Sequence, residues 1–447
     1  MFGGIVGSSR CLKGENMKFK GKHILVYGLG DSGRSVAKIL KEKGAIVSLF
    51  DDDLKYLEYV GFERNPFQKF FDLVVLSPGI KVRENKLLEH FENQGIPVIS
   101  EIDFGYMLAK GKIIAITGTN GKTTTCMLTY KILKEAGYKT FLCGNIGLPF
   151  SSIAQKTTKK SVVVCEVSNF QLESSKYFRA NVSAVLNLTP DHLDRHGSFE
   201  EYQRVKALIA KNIKSKDVII VNFDDENTRN MFLFKNIEFF SKKILKKGVF
   251  CKNNQIFINK KSVLSLQMIK LKGEKNLENV LASIAICKHF HVKVQDYEKA
   301  ISEFVPASHR MEIVGERNGI TFVDDSKATN LSSTMACVEA FKNESVVLLM
   351  GGLGKEIEYD TFFSQKPKLK KLICFGSDGQ KIFDCAKSFG LDCEIFEKFE
   401  DAVKFSKEIS AEDDFVLLSP ACASFDEFSS YAERGDRYKE IVLEESL

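Results

Sequence analysis

The 447-residue sequence lacks the features that would place it in a membrane or outside the cell. No uninterrupted apolar run approaches the ~20 residues of a membrane-spanning helix. Residues 1–16 contain only a short apolar stretch and no small-residue cleavage pattern, which argues against a signal peptide. The eleven cysteines are scattered without a Cys-x-x-Cys pair, and several lie inside apolar runs, as expected for reduced thiols. We therefore expect a cytoplasmic protein without a membrane partner.

Internal repeats, low-complexity tracts and large blocks of one charge are also missing. The net charge of +6 is spread along the chain, so lysine-rich tracts such as 368–371 indicate solvated faces and no nucleic-acid partner. An apolar content of 44% and a charged content of 27% are typical of a globular protein. Met17 directly precedes the first predicted strand, so we expect translation to start there, with residues 1–16 disordered or an artefact.

The most informative segment is Thr-Gly-Thr-Asn-Gly-Lys-Thr-Thr at residues 117–124. It follows an apolar run at 113–116 and precedes a helical pattern, and a Gly-rich turn in that place leaves backbone N–H groups free to bind phosphate. Lys122 can reach the terminal phosphates, and the Thr123 hydroxyl can bind magnesium. Ile116 replaces the first glycine of the usual pattern, so the loop is a shortened variant. The other residues predicted to contact phosphate are Gly118, Thr119, Asn120, Gly121 and Thr124.

Short aliphatic runs alternate with helical patterns along the chain, which predicts the parallel sheets of an α/β fold. The runs form three groups. We therefore expect a Rossmann-like domain at 1–106, a central domain of the P-loop ATPase type at 107–306 and a second Rossmann-like domain at 307–447. Ligands of such sheets bind beyond the carboxyl ends of the strands. The predicted strands are 23–27, 46–50, 73–76, 113–116, 162–165, 184–186, 218–221, 321–323, 346–350, 372–375 and 415–418.

Two central strands end in residues that could bind magnesium. Glu166 follows the strand at 162–165, and His192 lies in the polar turn after the strand at 184–186. Either residue alone has an ordinary interpretation, as a helix cap or a surface histidine. Their shared sheet edge with Thr123 favours a site for magnesium, which prefers oxygen ligands.

Two further patterns are weaker on their own. Gly-Leu-Gly-Asp-Ser-Gly at 28–33, with Asp51 about twenty residues later, has the spacing of a dinucleotide fingerprint and predicts a bound diphosphate without identifying its owner. The turn at 77–80 could close over that ligand. Ser198 and Glu201 form a predicted capping box that starts a helix, and Lys206 in this helix resembles an ordinary solvated lysine.

The second half of the chain contains polar turns that follow strands or presumed hinges. Lysine, arginine, aspartate and serine recur in them, which suggests an acidic substrate. These turns are 276–279, 308–312, 324–330, 351–355 and 419–426.

Together these motifs resemble the Mur ligase family, ATP-dependent enzymes of peptidoglycan synthesis that are related to folylpolyglutamate synthase. The resemblance runs from about residue 18 to the C-terminus, and the Gly-Thr-Asn-Gly-Lys-Thr-Thr loop and the Asp191-His192 turn are its specific marks. The turns at 325–330 and 419–424 are similar to those of the members that add D-glutamate. The resemblance implies that ATP phosphorylates the carboxylate of a UDP-linked muramoyl-L-alanine, and that the amine of D-glutamate then displaces the phosphate.

The resemblance also assigns roles to individual residues. Lys206 matches a carbamylated lysine, whose anionic oxygen suits magnesium better than an ammonium does. The implied catalytic residues are Lys122, Asn145, His192 and Lys206. Two magnesium ions are implied near Thr123, Glu166, His192 and Lys206, and ATP contacts at Asn276, Arg310 and Asp325. The implied substrate contacts are Ser32, Asp51 and Gly79 in the first domain, with Thr329, Lys355, Ser424, Phe425 and Tyr431 in the third.

Two positions depart from the family pattern. Tyr431 replaces an expected phenylalanine, and 51–53 lacks an arginine that some relatives have, which leaves the uracil contacts open.

Three other functions compete with the ligase interpretation. A dehydrogenase would explain 28–33 but not the phosphate loop. A ligase of the folylpolyglutamate synthase type would share the ATP apparatus but not the first diphosphate site, and a sensor of UDP-muropeptides would show no turnover. We expect a monomer that acts on small molecules.

Overall fold

Three β-sheets of four, nine and six strands carry the fold. The structure, a computed structural model, describes residues 18–232, 236–354 and 357–444. It divides into two units: the first comprises the chain up to Met268 together with Glu278–Glu303, and the second comprises Ile269–Leu277 and Phe304–Leu447. Among the described residues, none of the helices combines the length and the apolar character needed to cross a membrane. The prediction for residues 1–16 lies outside the described residues.

The first sheet belongs to the first unit and is entirely parallel. Its elements are β1 (His23–Tyr27), α1 (Asp31–Glu42), β2 (Ile46–Phe50), β3 (Leu73–Leu76), α2 (Lys86–Asn93), β4 (Val98–Ser100) and α3 (Glu101–Leu108). The strand order is β2-β1-β3-β4. Strands β1 and β3 are apolar runs because helices cover both faces of a parallel sheet. Their predicted bounds and those of β2 are confirmed, whereas β4 is too short to give a recognisable pattern.

The second sheet also belongs to the first unit. Its strands are β5 (Lys112–Thr117), β6 (Thr140–Gly144), β7 (Val162–Glu166), β8 (Val182–Val185), β9 (Val218–Asn222), β10 (Ile237–Ser241), β11 (Val249–Lys252), β12 (Gln255–Ile258) and β13 (Lys261–Ser265). The accompanying helices are α4 (Lys122–Glu135), α5 (Phe150–Ala154), α6 (Asn169–Glu173), α7 (Leu193–His196), α8 (Phe199–Ala207), α9 (Glu226–Arg229), α10 (Glu274–Cys287) and α11 (Val294–Ser302). The strand order is β13-β12-β11-β10-β9-β8-β5-β7-β6, in which β12 runs antiparallel to both of its neighbours and the other pairs are parallel.

One predicted strand and one predicted helix cap in this part of the chain differ from the structure. The strand predicted at 184–186 is β8, which begins two residues earlier and ends at Val185. Ser198 caps α8 by accepting a hydrogen bond from the backbone N–H of Glu201, as predicted. The Glu201 carboxylate, however, binds Arg83 and Arg204 instead of the cap backbone, so the capping box is only half formed.

The third sheet belongs to the second unit. Its strands are β14 (Glu312–Arg317), β15 (Ile320–Asp324), β16 (Ser345–Gly351), β17 (Lys371–Phe375), β18 (Cys393–Phe396) and β19 (Asp414–Ala421). Its helices are α12 (Leu331–Ala340), α13 (Asp360–Phe363), α14 (Gly379–Ser388), α15 (Phe399–Ile409) and α16 (Tyr431–Leu443). The order is β14-β15-β19-β16-β17-β18, and only β14 runs antiparallel. The two central strands, β19 and β16, are buried along most of their length, and the loops beyond their carboxyl ends carry the polar turns predicted from the sequence.

Candidate active site

The predicted phosphate loop lies between β5 and α4. Gly118 and Gly121 have φ angles of +152° and +80°, in the region that favours glycine. The Lys122 ammonium turns back over the loop and donates hydrogen bonds to the carbonyl oxygens of Gly118 at 2.9 Å and Thr119 at 2.6 Å. The first turn of the 14-residue helix α4 thus follows directly on the loop, which is the arrangement that binds phosphate through backbone N–H groups.

Gly121 is the position in this loop where a side chain is least tolerable. A Cβ atom there would lie 2.1 Å from Oδ1 of Asn279, which also accepts a hydrogen bond from the Thr125 hydroxyl at 3.3 Å. Asn279 therefore packs directly against the phosphate loop. The sequence named this residue only as part of the turn at 276–279.

Gly121→Ala is expected to weaken the binding of a non-hydrolysable ATP analogue by about tenfold or more, because the methyl group displaces Asn279 and the loop with it. Gly137→Ala is the matched control: Gly137 follows the same helix with a φ of +81° and has no atom within 4 Å of the added Cβ. Both variants carry the backbone strain, but only the first has the clash. Calorimetric titration measures the affinity, and equal affinity in the two variants would contradict the role given to this contact.

Glu166 lies at the carboxyl end of β7 and connects the phosphate loop to the loop after β6. Its carboxylate is almost completely buried; it accepts hydrogen bonds from the Thr123 hydroxyl at 2.9 Å and from Nδ2 of Asn145 at 2.8 Å. The backbone N–H of Asn145 also donates to the Glu166 carbonyl oxygen at 2.9 Å. A buried carboxylate beside a hydroxyl is a donor set that suits magnesium, so these residues fit the ion.

Lys206 is the largest departure from the ordinary interpretation of its sequence pattern. Its side chain is 1% exposed, and its amino group donates to the Thr117 hydroxyl at 3.2 Å and to the Gly118 carbonyl oxygen at 3.0 Å. Burial, and secondly the charge of Lys122, hold the pKa of this amine well below its usual value. Burial and this neighbouring charge therefore disfavour the charged form of the amine beside the phosphate loop.

His192 lies on a turn that is tied to the phosphate loop. The turn has the left-handed conformation at His192, and the Thr119 hydroxyl accepts a hydrogen bond from the Thr189 N–H at 3.1 Å. The imidazole is 29% exposed, and its ring centroid is 4.9 Å from that of Phe170 on α6. The structure therefore brings Lys122 and Lys206 to the Gly118 carbonyl oxygen and Thr123 and Asn145 to the Glu166 carboxylate, and it places His192 on an adjoining turn.

The glycine loop of the first sheet is similarly closed by its neighbours. A Cβ on Gly33 would lie 1.8 Å from the Gly28 carbonyl oxygen, so α1 starts in close contact with the loop. The Asp51 carboxylate accepts hydrogen bonds from the N–H groups of Leu29 at 2.5 Å and Asp53 at 2.9 Å. Ser32 lies in the first turn of α1.

The turn at 77–80 forms as predicted. The Ile80 N–H donates to the Ser77 carbonyl oxygen at 3.2 Å, and Gly79 lies inside the turn. A Cβ added to Gly28 would approach that of Ser77 to 2.6 Å, which places the turn directly against the glycine loop.

In the second unit, Asp325 is buried at the carboxyl end of β15. It accepts hydrogen bonds from the Ser419 hydroxyl at 2.9 Å and from the Met311 N–H at 3.2 Å. Burial raises the pKa of its carboxyl group to about 7 despite these bonds and the nearby charge of Arg310. The Nε atom of Arg310 is buried without a hydrogen-bond partner among the described residues, as expected where a ligand completes the site. Asn276, in the same unit, donates to the Lys272 carbonyl oxygen at 2.8 Å.

Arg434 forms hydrogen bonds to the backbone of two loops near the remaining predicted residues. This fully buried guanidinium donates to the carbonyl oxygens of Ser326 at 2.9 Å, Cys422 at 3.0 Å and Ala423 at 3.2 Å. The sequence analysis did not identify Arg434, because no local pattern shows that an arginine in α16 is buried. Ser424 and Phe425 directly follow Ala423, and Phe425 is 69% exposed. Thr329 lies three residues after Ser326, and Tyr431 begins α16 with its ring 4.9 Å from the Lys327 ammonium. Lys355 lies outside the described residues.

Comparisons with known proteins match two parts of the chain to domains of one family. The Mur ligase middle domain matches residues 116–287, and the Mur ligase glutamate ligase domain matches residues 309–422. A UDP-N-acetylmuramoylalanine--D-glutamate ligase from Caldanaerobacter subterraneus subsp. tengcongensis is 36% identical over 449 residues, covering 96% of this chain and 99% of that protein. One from Caldicellulosiruptor bescii is 38% identical over 456 residues, with 96% and 99% covered.

Solved structures show the same fold at lower sequence identity. A pseudomurein peptide ligase type C from Methanothermus fervidus matches with a TM-score of 0.62 at 19% identity, covering 94% of this chain and 99% of that one. The UDP-N-acetylmuramate-alanine ligase from Thermotoga maritima matches with a TM-score of 0.60 at 20% identity, covering 94% and 98%.

Proposed function

Because this chain belongs to the Mur ligase family, we propose that it joins D-glutamate to UDP-N-acetylmuramoyl-L-alanine in an ATP-dependent, ADP-forming reaction of peptidoglycan precursor synthesis. The observation that carries the proposal is the buried Glu166, which accepts hydrogen bonds from Thr123 of the phosphate loop and from Asn145. This arrangement places a candidate metal ligand, a phosphate site and an amide side chain at one sheet edge. A phosphoryl group and the carboxylate that receives it can meet there.

The proposed chemistry begins with activation of the muramoyl-L-alanine carboxylate. A free carboxylate is a poor electrophile, whereas the acyl phosphate made from it has a good leaving group. Lys122 and the loop N–H groups stabilise the charge on the transferred phosphoryl group, and Asn145 orients the receiving carboxylate. Thr123 and Glu166 would hold a magnesium ion, which would neutralise phosphate charge. The D-glutamate amine then attacks the acyl carbon, and collapse of the tetrahedral intermediate expels phosphate.

We assign to Lys206 the role of a carbamate. Its buried amine has a lowered pKa, so the neutral form that attacks CO2 is accessible, and the product is an anion close to the phosphate loop. Together with His192, this anion would support a second magnesium ion. Lys206 and Lys122 donate hydrogen bonds to the same Gly118 carbonyl oxygen, so two ammonium groups there would repel each other. A carbamate on Lys206 keeps one N–H to donate and carries no positive charge, which supports this role.

The second unit is proposed to bind the rest of ATP and the amino acid. Asn276, Arg310 and Asp325 are the proposed nucleotide contacts. Thr329, Lys355 and Ser424 are proposed to bind the D-glutamate carboxylates, with Phe425 and Tyr431 beside them. Ser32, Asp51 and Gly79 of the first sheet are proposed to contact the UDP-linked substrate.

We also propose a monomer with domains at 1–106, 107–306 and 307–447, a division that the three sheets support. The ten described cysteines are free thiols, which supports a cytoplasmic location.

The test is ADP formation from ATP, magnesium and UDP-N-acetylmuramoyl-L-alanine, with D-glutamate compared against L-glutamate, glycine and L-lysine. We expect turnover with D-glutamate and at least about a hundredfold lower kcat/KM with the others, because each of them leaves a proposed carboxylate-binding group unpaired or misaligned. Faster turnover with another amino acid would assign a different ligase of the same superfamily. Tight binding of the UDP-linked substrate without any turnover would identify a sensor.

A further inference from the structure

Arg195 connects the turn after β3 of the first sheet to helix α6, which follows β7 of the second sheet. Its Nη2 atom donates to the Ile80 carbonyl oxygen at 3.1 Å, and Nη2 and Nε donate to Oε2 of Glu173 at 2.7 and 2.9 Å. The side chains of Arg195 and Glu173 are only 10% and 6% exposed. The first contact reaches the turn that contains Gly79, and the second reaches the end of α6.

The same guanidinium also contacts the aromatic ring that packs on His192. Its carbon lies 4.4 Å from the centroid of Phe170, and the Phe170 ring centroid lies 4.9 Å from that of His192. Phe170 is on α6, four residues after Glu166. A shift of Arg195 would therefore move the ring against which His192 rests.

These contacts fix the position of the guanidinium and occupy most of the groups with which it could bind a ligand. Glu173 neutralises the charge, the Ile80 carbonyl oxygen occupies another donor, and Phe170 covers one face. Arginine suits this task because its planar group stacks and donates in fixed directions, which a lysine ammonium does not. Arg83, three residues beyond Ile80, adds a second connection from the same segment by pairing with Glu201 on α8.

We propose that Arg195 is a positioning residue that couples occupation of the first-sheet ligand site to the geometry of the His192 turn. The inference rests on the proposed function, in which Gly79 contacts the UDP-linked substrate and His192 belongs to the magnesium site. Binding of UDP-N-acetylmuramoyl-L-alanine then strengthens binding of magnesium-nucleotide, and the reverse holds by the same factor.

The coupling is measured by calorimetric titration of UDP-N-acetylmuramoyl-L-alanine, with and without magnesium and a non-hydrolysable ATP analogue. In the wild-type protein we expect the second ligand to bind about fivefold tighter or more when the first is present. In Arg195→Lys we expect this factor to fall to about one, while each ligand alone binds within about threefold of the wild-type affinity. The kcat of the variant should drop about tenfold to a hundredfold, with the KM for D-glutamate unchanged.

Two further variants separate positioning from general stability. Arg229→Lys is the matched control, because Arg229 also pairs with a glutamate, Glu226, and lies over a phenylalanine, Phe223, and neither partner belongs to the turn at 77–80 or to α6. Its coupling factor should equal that of the wild type. Glu173→Gln should abolish the coupling as Arg195→Lys does, and the double variant should show no additional loss.

A wild-type protein without coupling would overturn the inference, and so would Arg195→Lys with the wild-type factor at an unchanged melting temperature. If Arg195→Lys does not fold, Glu173→Gln decides the question in the same way. Coupled binding in a wild-type protein that makes no ADP with D-glutamate would instead overturn the proposed function and leave this inference in place.

Discussion

Lys206→Ala is expected to lower kcat by about a thousandfold, with much of the loss recovered when a short carboxylic acid such as acetate is added. The wild-type amine is buried beside the phosphate loop, where burial and Lys122 oppose its charged form. The proposed carbamate would convert it into an anionic oxygen ligand. Removing the side chain removes that oxygen and leaves a cavity that a small carboxylate can enter. Steady-state ADP formation as a function of acetate concentration measures the effect.

The control for this experiment is Lys206→Met, which keeps the volume of the side chain but has no amine. It should lose as much activity as the alanine variant and should not respond to acetate, because its thioether chain fills the cavity. Lys211→Ala removes an exposed lysine a few residues further along and should leave kcat unchanged. Full activity of Lys206→Ala without any added acid would rule out the carbamate.

The sequence predicted the parts of the site that depend on local backbone geometry. The glycines at 118 and 121, between a strand and a helical pattern, predicted a tight loop, and the structure has both glycines at positive φ. Phosphate binding by this loop stays a prediction. Glu166 was predicted for a similar reason, because a carboxylate at the end of a parallel strand necessarily lies at the ligand edge of the sheet. Both features can be read within about ten residues of sequence.

The sequence contains a pattern that indicates the burial of Lys206, although a lysine in a charged helix is usually exposed. Tyr202, Val205 and Ile209 form an apolar stripe on the same helical face, and Lys206 lies inside it. Burying a lysine in such a stripe is energetically costly, so a lysine at this position indicates a functional role. The helical spacing alone supported a solvated lysine, because it does not show that the loop after β5 covers this face.

Contacts between distant segments could not be predicted. Asn279 packs on the phosphate loop from more than 150 residues away, and its selection over Asn276 depends on which face of α10 meets that loop. Arg195 and Arg434 are further examples, since they donate to the carbonyl oxygens of Ile80 and Ser326, each more than 100 residues away. Each of these residues has an ordinary surface role by composition and acquires a specific one only through packing.

The second large effect is expected for Glu166→Gln, in which the magnesium concentration needed for half-maximal activity should rise about a hundredfold and kcat should fall about as much. The carboxylate is buried and receives hydrogen bonds from Thr123 and Asn145, so its negative charge is held at one place beside the phosphate loop. Glutamine keeps the size and one acceptor oxygen, but it is uncharged and has an NH2 group, which cannot bind a cation, in place of the other oxygen. Glu238→Gln is the matched control: Glu238 is paired with Lys288 and His289 in the same unit, and its loss should lower stability without changing the magnesium requirement. Titration of ADP formation with magnesium distinguishes the two variants, and a Glu166→Gln protein with the wild-type magnesium requirement would remove Glu166 from the metal site.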